Sequence, residues 1–205
     1  MFPSYRAGRR RRRTDEADEA GASDYASPLI RVLGGPQETT SVLIRKALET
    51  DAEQIWSVHT ASIRQFCSSS YMRDQIEEWI GFLAPERYLE PIRRLEFVVA
   101  EVDRQVQGFC ILNLETGELH AIYLAPAAAR HGLGSKLMTW AETTARQHGW
   151  AELFLKATLN AVPFYEKCGF WIERTTSHPL PSGTPRACVE MRKALTPHMR
   201  RRQDL

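Results

Sequence analysis

The residues whose types and spacing best fit chemistry are six in a row, Arg130-His131-Gly132-Leu133-Gly134-Ser135. They stand between a strand-like run, ELHAIYLA (118–125), and a run with Leu133, Leu137, Trp140, Ala141 and Thr144 at helical spacing. The first N–H groups of a helix lack internal acceptors and sit at the positive end of its dipole. Glycines let an anion approach that backbone closely, so the segment reads as a phosphate or pyrophosphate cradle. The plainer alternative is a glycine pair that only meets a steric need at a strand-to-helix turn. Two familiar phosphate loops are excluded. G-x-x-x-x-G-K-[ST] is absent. G-x-G-x-x-G is broken by Leu137, and no βαβ unit with a ribose-binding acid follows.

The elements that must position this loop are readable around it. VLIRKA (42–47) predicts a strand. Asp51 stands where an N-cap would, followed at helical spacing by Ile55, Trp56, His59, Ile63 and Phe66. Met72, Ile76, Trp79, Ile80 and Leu83 predict a second helix, and Pro85–Arg93 a short third. The period then changes. FVVAEV (97–102), VQGFCILNL (106–114) and ELHAIYLA read as a three-stranded antiparallel meander, with turns at Arg104-Gln105 and Thr116-Gly117. After the helix that Gly149 stops come a strand read as buried on both faces, ELFLKAT (152–158), and a short helix, Asn160 to Lys167, ended by Gly169. FWIERT (170–175) and ACVEMRK (187–193) are the last strands, joined by the loop HPLPSGTPR. The order is β-α-α-β-β-β-α-β-α-β-β: an α/β (mixed α+β) fold, a central mixed sheet with helices on both faces.

Composition bounds the rest. Apolar residues are 43% and charged residues 25% of 205, the balance of a soluble globular chain. No uncharged apolar run approaches the ~20 residues that span a bilayer, and no apolar stretch follows the charged start MFPSYRAGRRRRR, so neither a membrane span nor a secretory signal is expected. Residues 1–40 read as a disordered tail, Arg-rich and then acidic, with seven Arg, five of them in the run Arg9–Arg13, against six acids. Residues 196–205 read as a flexible basic tail, with three Arg against one Asp. The body, 41–195, holds 17 basic and 18 acidic groups, without the positive excess of a nucleic-acid binder. Cys67, Cys110, Cys168 and Cys188 form no C-x-x-C pair and no His/Cys cluster at zinc spacing, which points to free thiols in a reducing, cytoplasmic compartment and to no metal.

ELHAIYLAPAAARHGLGSKLM followed by LKATLNAVPFYEKCGF resembles the GNAT superfamily of acyl-CoA-dependent N-acetyltransferases. The resemblance covers residues 41–193 in element order and is motif-specific from Glu118 to Phe170. It implies a sheet of about seven strands, antiparallel in its N-terminal part and splayed at its centre. It also implies acetyl-CoA as co-substrate, an amine acceptor, and pairing into homodimers as family members often do. In the family the loop pattern is Gln/Arg-x-x-Gly-x-Gly/Ala. Here Ala129 holds the first place and Arg130 comes one residue late, which weakens side-chain capture of phosphates but leaves the backbone cradle.

The resemblance assigns roles residue by residue. Arg130, His131, Gly132, Leu133, Gly134 and Ser135 hold the pyrophosphate. Backbone groups of Ile122, Tyr123 and Leu124 bind the pantetheine arm like an added strand, and a strand N–H polarises the thioester carbonyl. Asn160 contacts the arm. Tyr165 protonates the leaving thiolate, a suitable task for a phenol of pKa ~10, or else is a core tyrosine. An ammonium acceptor must lose a proton, and Glu118, His120 or a water chain can take it. Glu118 and His120 are two apart on a strand and so share a face, as does Ile122. Plainer readings are turn chemistry for Glu118 and a cleft-lining polar residue for His120. Cys110 and Cys168, in apolar contexts with no adjacent His, do not read as nucleophiles. Tyr71 and His178 are the acceptor contacts named from the first interhelix connection and the last loop; Phe66 and Trp79 are further candidates that core packing explains as well. Two other readings stand beside the enzyme: a non-catalytic acyl-CoA sensor on the same fold, and a nucleic-acid-associated protein that uses Arg9–Arg13.

Overall fold

The computed structural model describes residues 41–195. The expectations for the tails, 1–40 with Arg9–Arg13 and 196–205, lie outside the described residues. Seven strands form one mixed sheet: β1 (Leu43–Lys46), β2 (Glu96–Val102), β3 (Gln105–Asn113), β4 (Glu118–Leu124), β5 (Glu152–Thr158), β6 (Trp171–Pro179) and β7 (Pro185–Ala194). Their order is β1-β2-β3-β4-β5-β7-β6, and every neighbouring pair is antiparallel except β4 and β5. Helices α1 (Ala52–Phe66), α2 (Arg73–Gly81), α3 (Leu89–Arg94), α4 (Leu133–Gln147) and α5 (Val162–Lys167) complete the fold.

Alternation along the strands feeds two cores. Val98, Ala100, Cys110 and Leu112 pack with Leu137, Met138, Ala141 and Ala145 of α4 on one face. Phe97, Val99, Phe109 and Ile111 pack with Ile55 and Val58 of α1 on the other. Each large apolar side chain so removed from water contributes roughly 2 kcal/mol. A third cluster joins Ile63 and Cys67 to Tyr71, Ile76, Trp79 and Ile80, and to Leu180 in the β6–β7 turn.

Several local expectations are corrected. The β2–β3 turn is Asp103-Arg104, both at positive φ (49° and 62°), the geometry of a two-residue hairpin turn; Gln105 is already in β3. Asp51 does not cap α1. Its carboxylate accepts from Leu48 N at 2.8 Å and from the Arg45 guanidinium at 2.7 and 2.9 Å. Burial acts to raise that carboxyl, and these donors outweigh it, holding it below the usual range. β5 is buried on one face only: Leu153, Leu155 and Ala157 are inside, while Lys156 is exposed. The loop HPLPSGTPR is strand at both ends, with β6 running to Pro179 and β7 starting at Pro185, so the connection shortens to Leu180–Thr184.

The correction that matters most for function is a bulge in β4. Leu112 pairs with Leu119 and Ile111 pairs with Ala121, so His120 is an extra residue opposite nothing. Alternation restarts there. Leu119, Ile122 and Leu124 all pack on the α4 side, while Ala121 and Tyr123 pack on the α1 side. Glu118, adjacent to Leu119, therefore belongs to the α1 side and does not share a face with Ile122.

Candidate active site

β4 and β5 touch in register at one pair only, Glu118 with Phe154, beside a hydrogen bond from Phe154 N to Gly117 O at 3.3 Å. Beyond that pair the strands part. The backbone edge of β4 that faces β5 then has no ladder partner, and a cleft of about 470 Å³ opens between them. Its walls are His120 to Leu124 of β4, Lys156 to Thr158 of β5, the end of α1 (Ser62 and Phe66, with Cys67 beyond), and Phe164 and Tyr165 of α5.

One end of the cleft is closed by the start of α4. Gly132 precedes the helix at φ +79°, Arg130 is also left-handed at +68°, and no side chain caps the helix. The two glycines serve different needs. A Cβ on Gly132 would meet nothing within 4 Å, so that position is glycine for its φ. A Cβ on Gly134 would come within 3.2 Å of the Phe164 ring, so that one is glycine for space. Gly134, Arg130 and Ala129 line the cleft. The side chains of the other loop residues do not: Leu133 is buried in the core, and His131 and Ser135 are exposed outside the lining. The donors offered here are main-chain N–H groups.

Tyr165 is buried with its ring between Phe164 and Phe170, at centroid distances of 5.1 and 5.7 Å, and it lines the cleft. Burial, with smaller contributions from Tyr123, Cys110 and Cys168, pushes its phenol well above the ordinary value, so it stays protonated near neutral pH. His120 projects into the cleft from the bulge, and its Nε2 lies 3.4 Å from Glu118 Oε2. Asn160 also lines the cleft, with Oδ1 accepting from the Cys67 thiol at 3.3 Å. Burial pushes that thiol up to about 11, which keeps it a neutral donor.

The structure thus brings His120, Ile122, Tyr123, Leu124, Arg130, Gly134, Asn160 and Tyr165 to one cleft, with Glu118 touching His120 from beside it. It does not bring Tyr71 or His178 there. The Tyr71 hydroxyl donates to Ala187 O at 2.8 Å and accepts from Leu159 N at 2.9 Å, so it ties the α1–α2 connection to β7 and to the end of β5. His178 sits on β6 opposite Arg186, outside the cleft, with its imidazole pushed down by burial and then by the charges of Arg186 and Lys156. Sequence reasoning missed Lys156, although the alternation of ELFLKAT places it opposite Leu155. It also missed Ser62, which carries no local signal, and passed over Ser69 in the interhelix connection from which it named Tyr71. Among the described residues no group of three His, Cys, Asp or Glu could hold a metal ion.

Residues 51–170, from the entry to α1 through the whole cleft, match the model of the acetyltransferase (GNAT) family. The chain belongs to the GNAT acetyltransferase family, and is accordingly an acyltransferase. Among solved structures, the PaiA N-acetyltransferase of Thermoplasma acidophilum, in complex with coenzyme A, is 28% identical, with a TM-score of 0.65 over 75% of this chain and 99% of that one. A GCN5-related N-acetyltransferase of Rhodopseudomonas palustris superposes with a TM-score of 0.71 at 23% identity, over 75% of this chain and 95% of that one. YncA of Salmonella typhimurium, solved with its cofactor acetyl-CoA, gives 0.58 at 17% identity, over 77% and 96%. The last two likenesses establish the fold alone. No curated protein sequence matches the chain. Among the described residues no helix is long and apolar enough to cross a membrane.

Proposed function

We propose that this GNAT-family chain transfers an acetyl group from acetyl-CoA to a primary amine by direct attack in a ternary complex. The observation that carries the reading is the single-pair contact of β4 with β5, which leaves a strand edge unpaired and aims the cleft at the uncapped start of α4. A pantetheine arm can add to that edge as a strand would, and a pyrophosphate can take the free N–H groups of the helix start. The PaiA N-acetyltransferase, 28% identical and solved in complex with coenzyme A, supports coenzyme A as the ligand.

Acetyl-CoA supplies an activated thioester; this chain's residues orient it and move protons. Main-chain groups of Ile122, Tyr123 and Leu124 hold the arm, and an N–H among them polarises the carbonyl. Asn160 fixes the arm from the opposite wall. The amine lone pair forms the new C–N bond as the C–S bond breaks, and Tyr165 gives its phenolic proton to the departing sulfur. His120, held by Glu118 at 3.4 Å, takes the proton the amine must lose, directly or through water. Four free thiols fit a reducing compartment such as the cytoplasm.

The test is an amine panel scored by thiol release from acetyl-CoA, beside calorimetric titration with CoA. Binding with amine-dependent release supports the reading. Binding with no release from any amine would leave an acyl-CoA sensor. No binding at millimolar CoA would overturn both.

A further inference from the structure

The β6–β7 hairpin carries three arginines in two quite different settings. Arg174 is paired with Glu190 at 2.6 Å, and Arg192 with Glu173 and Glu152 at 2.5 and 2.6 Å. Arg186 is more enclosed. Its Nε and Nη1 are buried and have no hydrogen-bond partner among the described residues. Its guanidinium lies over the Trp79 ring of α2, with Cζ 3.5 Å from the centroid. A ring face attracts the cation but accepts nothing in the plane where the N–H groups point. The guanidinium edge therefore lacks the flat, negative acceptor that this side chain is shaped to meet.

A second buried group without a partner belongs to the same cluster. His59 of α1 meets Trp79 edge-on at 6.3 Å and packs on Tyr123 at 3.9 Å, ring centroid to centroid. Its Nδ1 is 2.9 Å from the Tyr88 hydroxyl, and its Nε2 is buried with no partner. Burial, then the Arg186 charge, brings this imidazole down to about 3, so it is neutral at physiological pH. Nδ1 is the one acceptor the Tyr88 O–H has among the described residues, so the tautomer that satisfies Tyr88 has it donating to Nδ1, with the ring proton on Nε2 as a donor. Arg186, Trp79, His59 and Tyr123 form a continuous line from the hairpin to the cleft wall, on the α1 side of β4 and away from the α4 cradle.

We propose that Arg186 and His59 form a carboxylate subsite beside the acceptor end of the cleft, so that the acceptor amine is one carrying a carboxylate, an amino acid or a related amino carboxylate. One fixed cation and one neutral donor match a planar monoanion. A phosphate dianion would leave a charge uncompensated. The proposal rests on the acetyl-transfer reading and names its substrate class.

The experiment compares matched acceptors with and without the carboxylate: glycine against methylamine, β-alanine against ethylamine, 4-aminobutyrate against propylamine. Each pair is assayed by thiol release with the wild-type chain, Arg186→Gln and Arg186→Lys. The wild type is expected to favour the carboxylated member of at least one pair by about tenfold or more in kcat/KM. Arg186→Gln is expected to erase that preference through KM while leaving the neutral amine and CoA affinity unchanged, and Arg186→Lys to recover part of it. No wild-type preference, or equal losses for both members of a pair, overturns the subsite. A second measurement needs neither turnover nor a folded variant. In CoA-saturated wild-type protein labelled with 15N-arginine, titration with the same amino carboxylates should shift the Arg186 Nε–H resonance, and the neutral amines should not. A shift without turnover by any amine would keep the subsite and defeat the acetyl-transfer reading. Turnover of neutral amines without a shift would do the reverse.

Discussion

At the α4 end of the cleft the donors on offer are main-chain N–H groups around Gly132 and Gly134. At the α1 end they are side chains: His120 beside Glu118 in the cleft, and His59 and Arg186 behind its Tyr123 wall, outside the lining. Main-chain donors are present whatever residue follows, provided the chain can make the turn, so that end suits a ligand shared by a whole family. Side-chain donors change with every substitution, so that end is where one member differs from another. Tyr165 stands where the two meet, on α5 between the cradle-packing Phe164 and the core.

Four substitutions test this division. Tyr165→Phe removes the proposed proton donor and keeps the ring packing, so kcat is expected to fall about 100-fold with CoA affinity intact. If kcat and CoA affinity fell together, the residue would be structural. Glu118→Gln is expected to lower kcat/KM roughly tenfold at pH values below the pKa of the acceptor amine, where a proton must be removed before attack. Above that pKa the variant should converge on the wild type. An unchanged acidic limb in the pH–rate profile would transfer the task to His120 alone or to water.

Gly134→Val is expected to weaken CoA binding about fivefold, because a Cβ there already meets Phe164 at 3.2 Å and the larger side chain drives the ring toward the cleft. Unchanged calorimetric affinity would remove the helix start from the binding site. Arg130→Ala should change CoA affinity by only about twofold, since the side chain is exposed and screened while the donors are main-chain. A loss near that of Gly134→Val would mean that side-chain capture, not the backbone, dominates this end.

What was legible in the sequence follows the same split. The glycine turn into α4 could be read because Arg130 to Ser135 are consecutive, and the strand before and helix after announce themselves by period. That Tyr165 and Asn160 stand at one cleft was legible through the motif that joins them. The β4 bulge was not. Glu118-Leu119-His120 alternates like any strand, and only the register against β3 shows that His120 is extra. Tyr71 looked like an acceptor contact because its connection precedes α2, yet its hydroxyl is spent on Ala187 and Leu159, partners far along the chain. Arg186 lay in what read as a proline-rich loop.

By itself the sequence determined the order of elements, the glycine turn and the family, because each depends on residues close together in the chain. The tertiary structure decided which strand edge stays open, which side of β4 Glu118 belongs to, and which arginine is left without an acceptor. Those outcomes depend on pairing register and on burial by distant segments, which no local pattern encodes.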